Sequence, residues 1–403
     1  MTVLADTNAT KRDERRAMSV ASGAHALHDG YTDLIYVMLP IWQAEFALSY
    51  AAVGLLRGLF TGTMASLQIP AGHLSERYGA AAILAGGTAL AGFGYCLAGL
   101  SGGFSMLLIA LFVGGLGASA QHPIASALVA HAFSGPRSLK ALGGYNFAGD
   151  IGKMTVPAFA SLMLVAMPWR PALIILGAAG FLAALLILLL TPRFTQAITT
   201  SAPKTEVATK VPRIRHYAFP TLLSIGIIDS ATRMGFLTFL PFILTAKGAN
   251  LPTIGIALTL VFAGGAVGKL VCAFIGARIG VIGTVFLTEI MTLVLILLIL
   301  PTSLETALII LPILGIALNG TSSVLYGSVP DLVEPEKRTR AFGIFYTGTI
   351  GAGAIAPILY GVVSDATGLT GGVIVVAALV ILTLPLAFAL RPAFAQLQSP
   401  SAD

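Results

Sequence analysis

Charge is scarce in this chain: Asp, Glu, Lys and Arg make up only 10% of its 403 residues, while 56% are hydrophobic. Water-soluble domains carry about 25% charged residues, so a solvated enzyme or scaffold is excluded. Cysteine is nearly missing. Cys96 and Cys272 stand alone in apolar surroundings, which excludes a disulfide framework and any paired-cysteine metal site. No glycine-rich phosphate loop, nucleophile elbow, haem or iron–sulfur spacing occurs, so neither an ATP-driven pump nor an enzyme is indicated, and no cofactor is expected. Nor are there the short alternating segments of a membrane barrel. What the chain does contain is a succession of apolar runs of about 20 residues, each long enough to cross a bilayer as a helix.

The runs predict about twelve spans: 17–42, 49–71, 80–100, 104–130, 140–164, 169–190, 217–242, 252–276, 281–300, 304–329, 340–364 and 370–390. The expected class is an all-α integral membrane protein with two pseudo-symmetric six-helix bundles, 17–190 and 217–390. A polar linker, 191–216, separates them, and 1–16 and 391–403 form a leader and a tail. The leader is basic and precedes a long helix without a small-residue cleavage site, unlike a removable signal. With the amino terminus inside, 17 of the 23 Lys and Arg residues fall in inner segments and only Arg170 and Lys247 fall outside. That asymmetry, not nucleic-acid binding, accounts for the net charge of +6, and it predicts an inner (cell) membrane protein with both termini cytoplasmic.

The halves repeat. Leu39-Pro40 matches Leu240-Pro241 and Arg77-Tyr78-Gly79 matches Arg278-Ile279-Gly280 at an offset of 201, and Gly143 and Pro157 match Gly343 and Pro357 at 200. Direct repetition of an even number of spans relates the halves by an axis along the membrane normal.

The first span holds the densest chemistry. On a helix of 3.6 residues per turn, His25, Asp29, Thr32, Asp33 and Tyr36 fall on one stripe, with His28 beside them. An ionised carboxylate in hydrocarbon costs at least about 2.5 kcal/mol, so two of them require an internal partner or a wet cavity. Elsewhere within spans lie Asp150, Asp229 and Glu289 against Arg57, Lys153, Arg233 and Lys269. Spacing predicts pairs of Asp150 with Lys153 and Asp229 with Arg233, one turn apart, and equal distance from the hairpin at Ile279 suggests Glu289 with Lys269. Asp29, Asp33, Asp150 and Asp229 are candidates for proton coupling. Arg57 and Arg233, always charged and able to grip a carboxylate or phosphonate in two-pronged fashion, are candidates for holding an anion. Gln121 and His122 fall near Asn319 in the repeat; these, with His25, His28, Lys153, Asn146 and the tyrosines Tyr36, Tyr145, Tyr326 and Tyr346, are candidate substrate contacts. The histidines and aspartates of the first span could also take a divalent metal, but metal ligation needs convergence from a second helix, and no His or Cys faces them from the seventh span. No metal site is expected.

The loop after the second span reads Gly72-His-Leu-Ser-Glu-Arg-Tyr-Gly79 and resembles the major facilitator signature G-x-L-x-D-R-x-G, with Glu76 in place of Asp and Ala80 and Ala81 where basic residues usually follow. The resemblance implies the major facilitator fold and assigns Gly72, Glu76, Arg77 and Gly79 to an inner gate. HALHDGYTDLIYVMLP, AVGLLRGLF and GASAQHPIAS resemble the fosmidomycin-resistance-type branch of that superfamily. Membership would imply a cavity lined by the first, fourth, seventh and tenth spans, and export of a small polar or anionic compound, drug or metabolite, in exchange for protons. The fifth span, Gly149-Asp-Ile-Gly-Lys-Met-Thr-Val-Pro157, lacks the Gly-Pro pair of typical drug antiporters. Two alternatives are proton-driven uptake of an organic anion and divalent-metal transport. The expected partners are a small-molecule substrate, protons and the bilayer, with the monomer as the functional unit.

Overall fold

The computed structural model describes residues 11–133, 136–192 and 216–398, and these form helices and connecting turns. The helices of the first half are α1 (Lys11–Phe46), α2 (Tyr50–Ser66), α3 (Gln68–Tyr78), α4 (Ala80–Gly99), α5 (Phe104–Ala118), α6 (Gln121–Ala132), α7 (Pro136–Ala166) and α8 (Trp169–Leu190). Those of the second are α9 (Ala218–Ala246), α10 (Leu251–Ile299), α11 (Leu304–Ser328), α12 (Arg338–Leu379) and α13 (Thr383–Gln398). Most of the expected linker, 193–215, lies outside the described residues.

Helices and expected spans do not correspond one to one. The second and fourth spans are each broken into two helices, α2 with α3 and α5 with α6. Conversely α10 carries two spans, because its axis breaks at Gly280 (φ 75°), and α12 breaks at Gly368 (φ 80°) before continuing toward α13. A left-handed φ is open to glycine without a Cβ clash, so a reversal between spans needs no separate loop there. Gly79 has φ 91°. The repeat-related turns at Gly79 and Gly280 therefore share a backbone conformation as well as a sequence. The count remains that of twelve membrane helices.

The described residues divide into two compact units. One holds residues up to Asp33, Ser66–Val156 and Met167 to the end of α8; the other holds Leu34–Ala65, Pro157–Ala166 and everything from 216 onward. In the first, small residues on α1, α4 and α6 bury Leu84, Ile124, Leu128, Val129 and Ile187. In the second, Leu222, Ile225, Leu325, Phe345 and Leu390 form the corresponding core. Large apolar side chains such as Ile309 (70% exposed) and Leu189 (68%) point outward, as lipid contact requires and water would penalise.

Within the second unit α2 is seated on α12. The Asp365 carboxylate accepts the Tyr50 N–H at 2.7 Å and the Ala51 N–H at 3.0 Å, so it satisfies two free amides at the start of α2. Deeper along the same face, a Cβ on Gly54 would lie 2.2 Å from the Pro357 carbonyl oxygen, so backbone meets backbone.

Candidate functional site

The polar centre of the first unit forms around Asp29. Helix periodicity brings His25 alongside, with Nε2 3.4 Å from Oδ2. Two more helices contribute. At the start of α6, His122 places Nε2 3.9 Å from Oδ1, and from α7, Lys153 places Nζ 3.4 Å from Oδ2. His28 Nε2 lies 3.9 Å from Oδ1. All of this sits in the interior: His25 is 4% exposed and Asp29 7%. The approach of α7 to α1 depends on missing side chains. A Cβ on Gly152 would lie 1.9 Å from the Ala26 carbonyl oxygen, and one on Gly149 would lie 2.7 Å from Asp29 Oδ2 and from His25 Nε2.

Around this centre, His25 Nδ1 faces the Tyr145 carbonyl oxygen at 2.9 Å, and its ring stacks on the Tyr145 ring with centroids 4.2 Å apart. The Tyr145 hydroxyl donates to Gln121 Oε1 at 3.4 Å. Gln121 Nε2 and His28 Nε2 are both buried without a hydrogen-bond partner among the described residues. Buried polar atoms left open are costly, so these two mark where a ligand or solvent group belongs. The Lys153 ammonium crosses to Asp29 on another helix. Asp33 and Asp150 are buried, whereas Asn146 is exposed.

The second unit carries its own polar relay. Arg233 Nη1 donates to Ser322 Oγ at 2.6 Å, and Ser322 Oγ donates to Asp229 Oδ2 at 2.9 Å. The expected direct pair of Asp229 with Arg233 is thus replaced by a serine bridge from α11, and no direct ion pair joins them among the described residues. Arg233 Nε is buried without a hydrogen-bond partner among the described residues. The suggested Glu289–Lys269 pair is also absent among the described residues; Glu289 is buried, and its Oε1 has no hydrogen-bond partner among them. Spacing along one helix could not find the serine bridge, because it comes from a neighbouring helix.

Arg57, 2% exposed, donates from Nη2 to the Tyr36 hydroxyl at 3.0 Å and from Nη1 to Thr61 Oγ1 at 2.5 Å, and its guanidinium lies 4.6 Å from the Tyr36 ring centroid. Asn319 donates to the Gly315 carbonyl of its own helix at 3.2 Å and seats against Gly265 of α10. Tyr326 and Tyr346 are over 40% exposed and meet edge to face at 5.9 Å. At the suggested gate, Ser75 Oγ donates to the buried Gly72 carbonyl at 2.7 Å, while Glu76 and Arg77 are exposed and Arg77 lies over the Tyr78 ring at 5.3 Å.

Twelve membrane helices from a duplicated six-helix unit, with charge buried at the middle of each half, define a multi-pass membrane transporter. The chain belongs to the Major Facilitator Superfamily, whose family profile matches residues 21–228 and 222–403. It is 25% identical over 363 residues to the fosmidomycin resistance protein of Escherichia coli (strain K12), covering 87% of each chain. It is 26% identical over 348 residues to a probable 4-methylmuconolactone transporter of Cupriavidus pinatubonensis, covering 82% of this chain and 79% of the relative. In fold it is similar to the crystal structure of a bacterial homolog of the human lysosomal transporter Spinster, with TM-score 0.78, 16% identity, and coverage of 98% of this chain and all of that one.

Proposed function

We propose that this protein is a proton-coupled secondary transporter of the cytoplasmic membrane that exports a small organic anion. The observation that carries the reading is the set of basic groups gathered on one buried carboxylate: Lys153, His25, His28 and His122, all within 4 Å of Asp29. While Asp29 is ionised it engages these groups. When it takes a proton, its attraction for them falls and they become available to an anion entering beside the open Nε2 atoms of Gln121 and His28. Release of the anion restores the pull on the proton's site, so proton and anion exclude one another and exchange follows. The second unit carries an anion-binding group of its own in Arg233, held through Ser322 and with Nε open among the described residues. The exposed Glu76 and Arg77 serve as the gate, and both termini face the cytoplasm.

A second reading, proton-driven uptake, is favoured by the relative named as a probable 4-methylmuconolactone transporter. One experiment separates them: purified protein in liposomes, a panel of organic anions and cations, and pH gradients of both signs. Export by exchange predicts anion movement opposite to proton flow, lost in Asp29→Asn while binding of the anion persists. Movement in the same direction as protons establishes uptake, and full pH-driven transport by Asp29→Asn removes Asp29 from the coupling.

A further inference from the structure

We infer that the Asp29 cluster is also a binding site for a divalent transition-metal ion of the Zn2+, Co2+ or Ni2+ type. The inference begins with a tautomer. A carbonyl oxygen only accepts, so the 2.9 Å contact of His25 Nδ1 with the Tyr145 carbonyl puts a hydrogen on Nδ1. In the neutral ring, Nε2 then carries a lone pair, and that lone pair faces Asp29 Oδ2 at 3.4 Å. A proton on Nε2 satisfies that contact, and a metal ion can take the proton's place between the two donor atoms. A backbone carbonyl holding one imidazole nitrogen while the other is presented inward is the arrangement that orients histidine ligands in metal sites.

Convergence completes the set. His122 comes from a different helix, and one ligand atom each from His25, Asp29 and His122 lie within 4.8 Å of one another. Ligands held about 2.0–2.2 Å from a tetrahedral zinc stand roughly 3.4 Å apart, so the widest pair in the cluster needs to contract by up to about 1.4 Å. His28 Nε2, 3.9 Å from Asp29 Oδ1, buried and without a hydrogen-bond partner among the described residues, stands beside this set and would join it as a fourth donor after a shift of its side chain. Three imidazoles and one carboxylate suit zinc, cobalt or nickel; calcium and magnesium prefer all-oxygen shells.

Lys153 opposes the ion. Its ammonium already lies 3.4 Å from Asp29 Oδ2, and a metal has to displace it. That side chain is 33% exposed on a flexible stem, so it has somewhere to go, and its charge sets the affinity. The ion would replace one cation with another at the carboxylate and tie α1 to α6, which makes it an inhibitor of transport and not a cofactor.

The test uses the full chain in detergent, any histidine tag removed, titrated with Co2+ and followed by its visible ligand-field absorption, with Zn2+ as competitor. The expected result is one saturable site per chain. His25→Ala and His122→Ala should each weaken binding at least about tenfold, and Lys153→Met should tighten it about tenfold. Absence of a saturable band in the wild type overturns the inference, as does undiminished binding by His122→Ala, which would place the ion on surface histidines such as His73 or His131. Should His25→Ala not fold, His122→Ala decides alone, since that ring is partly exposed and carries little of the packing. No gradient or substrate is present, so the outcome is independent of whether Asp29 couples protons.

Discussion

Removing the Asp365 carboxylate should loosen the seat of α2 on α12 by an amount that can be worked out. Its two oxygens accept the Tyr50 and Ala51 amides at 2.7 and 3.0 Å, which are otherwise unsatisfied at the start of the helix. Losing such a cap costs about 0.5–2 kcal/mol, and the carboxylate's attraction to the helix dipole adds about 0.3–1 kcal/mol in exposed positions. The two overlap, since both act on the same amides, and Asp365 is exposed, so Asp365→Ala should cost roughly 1 kcal/mol. Alternating access requires contacts of this kind to be made and broken in each cycle. A loss of that size shifts the population holding the contact by about fivefold. Spin labels on Ser49 and Ala366, either side of the contact, report it directly by electron–electron distance measurement in lipid discs. Wild type should show a dominant short distance, and Asp365→Ala should move weight to longer ones. Asp365→Asn, which keeps one acceptor oxygen but loses the charge, should fall between. Identical distance distributions for all three would refute the assignment of Asp365 as a latch.

Other outcomes follow from the same contacts. Gly152→Ala puts a Cβ 1.9 Å from the Ala26 carbonyl oxygen, and thermal unfolding in detergent should show a loss of about 1–3 kcal/mol. Ser322→Ala removes the bridge between Arg233 and Asp229 and should cost roughly 1–3 kcal/mol, with Ser322→Thr restoring most of it; equal stability of the two would show that the serine is incidental. Gly72→Leu and Arg77→Ala should slow exchange between conformations, read by single-molecule fluorescence, and leave substrate affinity within about twofold. Lost binding with unchanged exchange would dissociate that loop from gating.

The membrane class, the duplication and the turns were open to reading from sequence because each depends on local chemistry. An apolar run of span length has few fates, and a repeat offset of 201 places Gly79 and Gly280 in register. Partnership was not open in the same way. Periodicity states which face of α1 carries Asp29, but the groups that meet it from α6 and α7 depend on the rotation and depth of separate helices. Hence His122 and Lys153 converge on Asp29, and Ser322 separates Asp229 from Arg233. Convergence on the first span from a second helix comes likewise from the fourth span, through His122, and not from the seventh.

The glycine face of α7 bears on how this protein can diversify. Gly149 and Gly152 leave no room for a side chain beside His25, Asp29 and Ala26, so nearly every exchange there disturbs the helix contact before it reaches a cargo. Gln121 and His122, at the start of a short helix that follows a break, meet their neighbours through side-chain ends and not through backbone. Heritable changes of cargo preference should therefore accumulate at the mouth of α6, while the opposite wall stays fixed. A library restricted to those two positions and scored by growth under a toxic anion would test this.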